Sequence, residues 1–291
     1  PEVEFFLVHK NTDPDYELMP PKGRSGRREV ARMSFSIDAV AEFEDFVEDM
    51  YDFADDQALS VDTLIHENGA AQLEINFNHG DPLDMADQVF VFKRTVRETA
   101  QRHNMYATFM AKPMQKEPGS ALHIHQSILS IKTGDNIFNG ADDQPTPELM
   151  HYIAGLQRYT PDLISFYAPN VNSYRRLAPD ISAPINLSWG YDNRTTAFRV
   201  PDSTPKNRRV ENRFPGADAN PYLAIAASLA SGLLGLEHKL QPTAPHQGTA
   251  NEDSVAVARS LEEAVRRLNA NNDLARVMGD LFLRAYAAVK L

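Results

Sequence analysis

Three short stretches of this 291-residue chain place ionisable side chains two residues apart. Glu2 and Glu4 flank Val3, and His123 and His125 flank Ile124. Arg209, Glu211 and Arg213 alternate with Val210, Asn212 and Phe214. In an extended strand, residues i and i+2 share a face, so each set points one way. A fourth stretch, Gln72–Asn78, sets Glu74, Asn76 and Asn78 against Leu73, Ile75 and Phe77. Glu67 lies just upstream in the turn signal His66-Glu67-Asn68-Gly69. Carboxylates packed together are costly unless cations neutralise them. Glu2, Glu4, Glu67, Glu74 and Glu211, with His123, therefore form a candidate two-metal site. Mg2+ and Mn2+ take carboxylate oxygens, and Mn2+ tolerates imidazole better. Taken alone, each Glu-x-Glu or His-x-His pair also reads as a solvated or structural strand face.

The arginines raise a second question. Asn193–Tyr222 holds six of the chain's 29 Lys+Arg: Arg194, Arg199, Lys206, Arg208, Arg209 and Arg213. An edge salt ladder would look like this, and so would a site for phosphates plus a metal. In the second case the guanidinium groups supply charge to transferring phosphoryl oxygens. The chain has no GxxxxGK[ST] loop and no kinase-type glycine loop, so a nucleotide site here is of another kind.

Composition narrows the field. The apolar fraction of 42% and the length fit one large domain or two modest ones with a substantial core. A net charge of −11 argues against general binding of nucleic acid or an anionic membrane surface. There is no cysteine, hence no disulfide and no thiolate chemistry. No apolar run is long enough to span a bilayer and no leader is visible, which fits a cytoplasmic protein. The chain opens directly on a strand pattern and stops inside a helical one. The expectation is that pieces are missing at both ends.

The elements that must position these residues follow from periodicity. Pro1–Val8 reads as a strand and residues 9–34 as a long loop or flap. Helical spacing runs over Asp38–Gln57, Pro82–Arg102 and Pro147–Ala168, then Asn220–Leu240, Ser254–Asn269 and Asp273–Leu291. Met105–Pro113 and Leu122–Ser127 read as strands. The ionisable faces of the strands fit an antiparallel sheet with helices behind its apolar face and a working cleft on its polar face. Met19, Met105, Met110, Met114 and Met150 read as core filler. His9, His103, His151, His238 and His246 read as surface or satisfied histidines, and Trp189 as packed or lining a pocket.

With these residues in order the chain resembles the glutamine synthetase family over essentially its whole length. The matching blocks are Glu2-Val3-Glu4-Phe5-Phe6, His66-Glu67 with Gln72-Leu73-Glu74, and Ala111-Lys112-Pro113 through Gly119-Ser120 to His123-Ile124-His125-Gln126-Ser127. They continue with Asn172–Leu177 and with Asn193-Arg194, Arg199-Val200-Pro201, Lys206, Arg208–Pro215 and Ala219–Tyr222. The resemblance implies an α+β catalytic-domain fold, a curved antiparallel sheet backed by helices, occupying residues 1–291. It implies that ATP phosphorylates the side-chain carboxylate of glutamate and that an amine then displaces phosphate. By position, Glu4, Glu67 and Glu74 match ligands of one Mg2+ or Mn2+, and Glu2, His123 and Glu211 those of a second. Arg194 and Arg199 match residues on phosphate and the transition state. Arg176, Arg213 and Gly119 match the glutamate side, and Ser127, His125, Lys206 and Arg209 the nucleotide side. The resemblance also implies a ring-shaped homo-oligomer and an N-terminal β-grasp domain that is absent here.

Two departures bear on the amine. Ammonia-using members carry a Glu in the loop after Asn-Ser-Tyr-x-Arg-Leu that closes over the site and helps deprotonate ammonium. Ser182 stands there, within Pro179-Asp180-Ile181-Ser182-Ala183-Pro184. Pro118 replaces the Asn that usually precedes Gly-Ser. The wording around these blocks is similar to the branch that ligates glutamate to polyamines, of the γ-glutamylputrescine synthetase type. The alternatives are an ammonia-using glutamine synthetase, a non-catalytic member of the family, and, on chemistry alone, a two-metal hydrolase.

Overall fold

The computed structural model describes all residues except 12, 14, 31, 141, 179–182 and 251–256. It divides into two compact units, Pro1–Leu122 with Gly216–Tyr222, and His123–Pro215 with Leu223–Leu291.

In the first unit, β1 (Glu2–His9) pairs antiparallel with β3 (Gln72–Phe77), which pairs antiparallel with β2 (Val61–His66). The strand β4 (Met105–Thr108) pairs antiparallel with the far end of β1. Val3, Phe5, Leu73 and Ile75 turn one face of this sheet into the core. Two helices cover it. The helix α2 (Glu44–Asp56) brings Phe46 to 6.4 Å from the Phe5 ring, and α3 (Pro82–Arg102) brings Phe92 to 5.2 Å from Phe77. Asp81 caps α3 by accepting from the Leu83 and Asp84 amides, with Pro82 in its first turn where no donor is needed.

The periodicity read as one helix over Asp38–Gln57 is two, α1 (Ile37–Ala41) and α2. Ser36 caps α1, and the backbone leaves helical geometry at Phe43, whose ring is buried at the joint. The expected strand Met105–Pro113 stops at Thr108, where the Thr108 hydroxyl accepts from the Met110 amide and turns the chain. Met105 is buried, but Met110 is 42% exposed and is not core filler.

In the second unit, β5 (Leu122–Gln126) and β7 (Phe198–Val200) flank β8 (Val210–Asn212), both antiparallel to it. The outer strand β6 (Trp189–Tyr191) pairs parallel with β7, so the sheet is mixed where an antiparallel one was expected. A parallel return usually takes a dozen or more residues. Here both strands are three residues long, roughly 10 Å, a span the six residues 192–197 can retrace. Behind these strands lie α4 (Pro147–Tyr167) and α5 (Pro221–Glu237). Leu149, Ile153, Leu156 and Tyr159 form the buried stripe of α4 expected from spacing.

The C-terminal helices are more broken than the pattern suggested, and residues 254–256 of the expected Ser254–Asn269 helix lie outside the described residues. The described elements are α6 (Leu261–Asn269), a single turn α7 (Asn272–Leu274), a π-turn over Ala275–Gly279, and α8 (Asp280–Lys290). Gly279 takes φ 91° at the joint, a conformation that costs other residues. Trp189 is a packed residue: it is buried and its indole N–H donates to the Thr243 carbonyl at 2.7 Å. No helix among the described residues is long and apolar enough to cross a membrane.

One buried charge in the first unit gives a pH test. Lys93 of α3 donates to the Ala217 and Ala219 carbonyls, at 2.6 and 3.0 Å, and so ties down the turn before α5. Burial pushes its pKa from 10.5 to about 8. Between these values the unfolded chain holds a proton that the folded chain lacks, so raising pH favours the fold. Urea unfolding should show stability rising between pH 8 and 9.5, and Lys93→Met should remove that rise.

Candidate active site

The antiparallel register of β1 and β3 sets Glu4 directly opposite Glu74. Such neighbours have Cβ atoms about 5 Å apart, and like charges there repel. Glu67 joins them from the turn between β2 and β3, and the carboxylates of Glu4, Glu67 and Glu74 each offer an oxygen within 4.8 Å of the others. Glu4 is 8% exposed and Glu74 is 5% exposed. A solvated strand face would leave such groups in water, so that reading of the pattern fails here. Three acidic oxygens at this separation suit a hard divalent cation, which would offset both repulsion and burial. Glu2, two residues before Glu4 and opposite Asn76, also lies within 4.8 Å of Glu74.

The turn that carries Glu67 is tightly built. Gly69 fits against the Phe6 ring, and a Cβ there would lie 2.5 Å from the ring and 2.7 Å from the Gln72 side-chain oxygen. Gln72 bridges the site: its Oε1 accepts from the Gly69 amide, and its Nε2 donates to Glu4 at 3.2 Å and to the Gly119 carbonyl at 3.0 Å. Glu4 also accepts from the Ala121 amide at 2.8 Å, and Glu117 accepts from the Ala70 amide at 3.2 Å. Gly119 thus enters through its backbone. The ring of His66 is fully buried, with Nδ1 2.8 Å from the Glu67 carbonyl and Nε2 3.0 Å from Glu29. Burial pushes its pKa down, but the Glu29 carboxylate and the Glu67 carbonyl outweigh this and hold it above the ordinary value. Both nitrogens face acceptors, as an imidazolium requires.

In the second unit the centre is Glu211, fully buried on β8. Its strand register sets it between His125 of β5 and Arg199 of β7. Arg199 donates to its Oε2 at 2.9 Å and Arg213 to its Oε1 at 2.5 Å, while His123 Nδ1 lies 3.6 Å from Oε1. Two guanidinium groups on one buried carboxylate form a charged triad, so the ladder and the ligand readings of this stretch describe the same residues. Each carboxylate oxygen keeps a second lone pair, so the pairing leaves donor capacity for a cation. Arg199 is shared: its Nε and Nη2 both donate to Asp192, at 3.2 and 2.6 Å. That contact holds the Asp192 carboxyl below its usual pKa range. Asp192 sits at φ 43°, a left-handed position that Asp tolerates better than most residues.

Other expected residues fall around this centre. Arg209 donates to His125 Nδ1 at 3.1 Å. Arg176 is buried and donates to the Phe214 and Arg213 carbonyls at 2.7 and 3.1 Å, which fixes the end of β8. The buried Arg213 Nε has no hydrogen-bond partner among the described residues. Arg194, Lys206 and Ser127 are exposed, Arg194 in the turn between β6 and β7 and Ser127 just after β5. Ser182 lies outside the described residues. Behind β8, Asn212 donates to Ser228 of α5 at 3.0 Å, and Ser228 donates to Gln126 of β5 at 2.6 Å. Glu29 and Asp192 carry no periodic or motif signal; only three-dimensional contact brings them to the site.

The family model for the glutamine synthetase catalytic domain matches residues 1–291. This chain belongs to the glutamine synthetase family. It is 36% identical over 293 residues to the γ-glutamylputrescine synthetase PuuA of Escherichia coli K12, covering 99% of this chain and 62% of that protein. It is 37% identical over 244 residues to a glutamine synthetase of Pyrococcus abyssi, covering 84% of this chain and 53% of that protein. A glutamate–isopropylamine ligase of a Pseudomonas species is 36% identical over 302 residues, covering 100% of this chain and 64% of the ligase. The chain thus spans less than two thirds of the length of these relatives. The solved structure of apo GmaS superimposes with a TM-score of 0.84 at 30% identity, covering 99% of this chain and 66% of that one. A GmaS/ADP complex gives the same score at 29% identity, with 99% and 67% covered. The mixed sheet and its helices are thus the fold of this family.

Two substitutions test the clusters separately. Glu74→Gln should relieve repulsion and raise the melting temperature of the metal-free protein, while weakening Mn2+ binding by at least about tenfold, read by titration calorimetry. Glu211→Ala should leave Arg199 and Arg213 buried without their shared partner and cost about 3–5 kcal/mol in urea unfolding.

Proposed function

We propose that this chain activates the side-chain carboxylate of glutamate with ATP and joins it to an amine. The observation that carries the reading is the trio of buried Glu4 and Glu74 with half-buried Glu67, held in a chain of the glutamine synthetase family. The reading assigns one divalent cation to that trio, and motif position alone assigns the ligands Glu2, His123 and Glu211 to a second. Bound there, Mg2+ or Mn2+ would offset the carboxylate charge and screen the phosphates of the nucleotide.

The chain's own groups have distinct tasks in this scheme. Arg194 presents its exposed guanidinium to phosphoryl oxygens, which carry the charge of the transfer, and Arg199 joins it by exchanging its Asp192 contact for phosphate. Arg213, whose Nε has no partner among the described residues, faces a glutamate carboxylate in this scheme, and Arg176 keeps that strand end in place through two carbonyls. Lys206, Ser127, His125 and Arg209 belong to the nucleotide side. A free carboxylate is a poor acyl donor, and phosphorylation gives it a leaving group. The amine nitrogen then attacks the acyl carbon, phosphate departs with the C–O electron pair, and the nitrogen gives up a proton.

The acceptor in this reading is an organic amine, with putrescine the leading candidate. Ser182 supports it, because a hydroxyl replaces the carboxylate that would hold and deprotonate ammonium. Relatives named for putrescine and for isopropylamine stand at 36% identity. A second reading, an ammonia-using glutamine synthetase, is favoured by the 37% identity to the Pyrococcus abyssi protein. The full-length gene product should be assayed with ATP, glutamate, Mn2+ and either ammonium, putrescine or isopropylamine. The amine reading expects kcat/KM for an organic amine to exceed that for ammonium by about tenfold or more, or about 1.4 kcal/mol in transition-state binding. A preference for ammonium establishes the second reading, and no ADP release with any acceptor defeats both.

A further inference from the structure

In the long segment between β1 and α1, Glu29, Ser34 and Phe35 are held against the turn that carries Glu67. Four polar ties fasten them there. The Oε2 of Glu29 accepts from the Ala71 amide at 2.7 Å and lies 3.0 Å from His66 Nε2. The Ser34 hydroxyl donates to the Asn68 side-chain oxygen at 2.6 Å, and the Phe35 amide donates to the His66 carbonyl at 2.8 Å. Glu67 sits in the middle of the gripped residues, 66, 68 and 71.

Hydrophobic burial does not hold this segment down. Val30 is 94% exposed and Phe35 is 65% exposed, and Met33 also faces solvent. Phe35 takes φ 60°, a left-handed position unfavourable for a bulky side chain. Glu29 is the exception, with a side chain only 11% exposed, and His66 beneath it is fully buried. The carboxylate of Glu29 is therefore the buried anchor of an otherwise solvated segment. Its partners lie 37 and 42 residues further along the chain.

We infer that Glu29 is a positioning residue for Glu67, and that the strap fastened through Glu29, Ser34 and Phe35 is coupled to cation binding by Glu4, Glu67 and Glu74. The inference rests on the metal reading of that trio. A ligand held in place before the ion arrives loses less freedom on binding, and groups that orient metal ligands commonly change affinity about 10–100-fold. The coupling is reciprocal: if the docked strap favours the ion, the ion must favour the docked strap.

The test uses Mn2+ as the probe on the folded protein, with two readouts that do not need turnover. Mn2+ affinity is measured by titration with electron paramagnetic resonance detection. Strap docking is measured by the rate of tryptic cleavage after Arg28 and Arg32, with and without Mn2+. Glu29→Gln keeps an acceptor for the Ala71 amide but removes the charge facing His66. It should weaken Mn2+ affinity about tenfold and speed cleavage. In the unsubstituted protein, Mn2+ should slow cleavage. Ser34→Ala removes only the tie to Asn68 and should move both readouts the same way by a smaller factor. It takes the place of Glu29→Gln if that variant does not fold. A purely structural role for Glu29 predicts a lower melting temperature with Mn2+ affinity unchanged within twofold, and that result overturns the inference. So does Mn2+ that binds without protecting the strap. Failure of the unsubstituted protein to bind Mn2+ is a separate result: it removes the metal reading, and the inference with it.

Discussion

Glu4 and Glu74 face each other across paired strands, both buried, with half-buried Glu67 brought in from the adjoining turn. Repulsion at that distance works against folding. Much of the first unit can be understood as the framework that holds the trio together. Val3, Phe5, Leu73 and Ile75 fill the opposite face of the same strands, so neither strand can rotate its carboxylate away without exposing core. Gln72, the Ala121 amide and the close fit of Gly69 against Phe6 restrict the remaining freedom. Stability gained in the apolar layer thus offsets the repulsion of this charge arrangement.

The second unit handles buried charge differently. Glu211 is compensated from within the protein by Arg199 and Arg213, so it needs no ion to be tolerated. Arg199 is in turn divided between Glu211 and Asp192. A phosphate arriving at Arg199 would compete with two carboxylates already in place. The two centres therefore differ in character: the trio gathers three carboxylates, whereas Glu211 is paired with two guanidinium groups.

Much of this was legible in the sequence, for a definite reason. Period-two patterns fix which side chains share a face, so Glu4, Glu74 and Glu211 were each assigned to a strand face correctly, and the blocks around them carried the family. Pro82–Arg102 reads cleanly because Asp81 and Pro82 mark its start. Other features depend on contacts that periodicity does not encode. The joint at Phe43 and the π-turn before α8 interrupt helical patterns that look continuous in the sequence. The parallel pairing of β6 with β7 depends on how a six-residue return folds back, not on which faces are apolar. Glu29 and Asp192 become visible only when segments far apart in sequence, or a left-handed turn, bring them to their partners.

The buried relay from Asn212 through Ser228 to Gln126 has a consequence for how faithfully this sheet assembles. The strand β8 is only three residues long, and strands this short carry little hydrophobic information about alignment. A slip by one residue would turn Glu211 to the helix side and put Asn212 among the arginines. Only the native alignment lets the Asn212 amide reach the Ser228 hydroxyl while that hydroxyl reaches Gln126. A one-residue slip breaks this relay, and each buried polar group left unpaired costs about 1–3 kcal/mol. The relay thus works as a proofreading device: it touches no ligand, yet it makes misaligned versions of the active-site strand expensive.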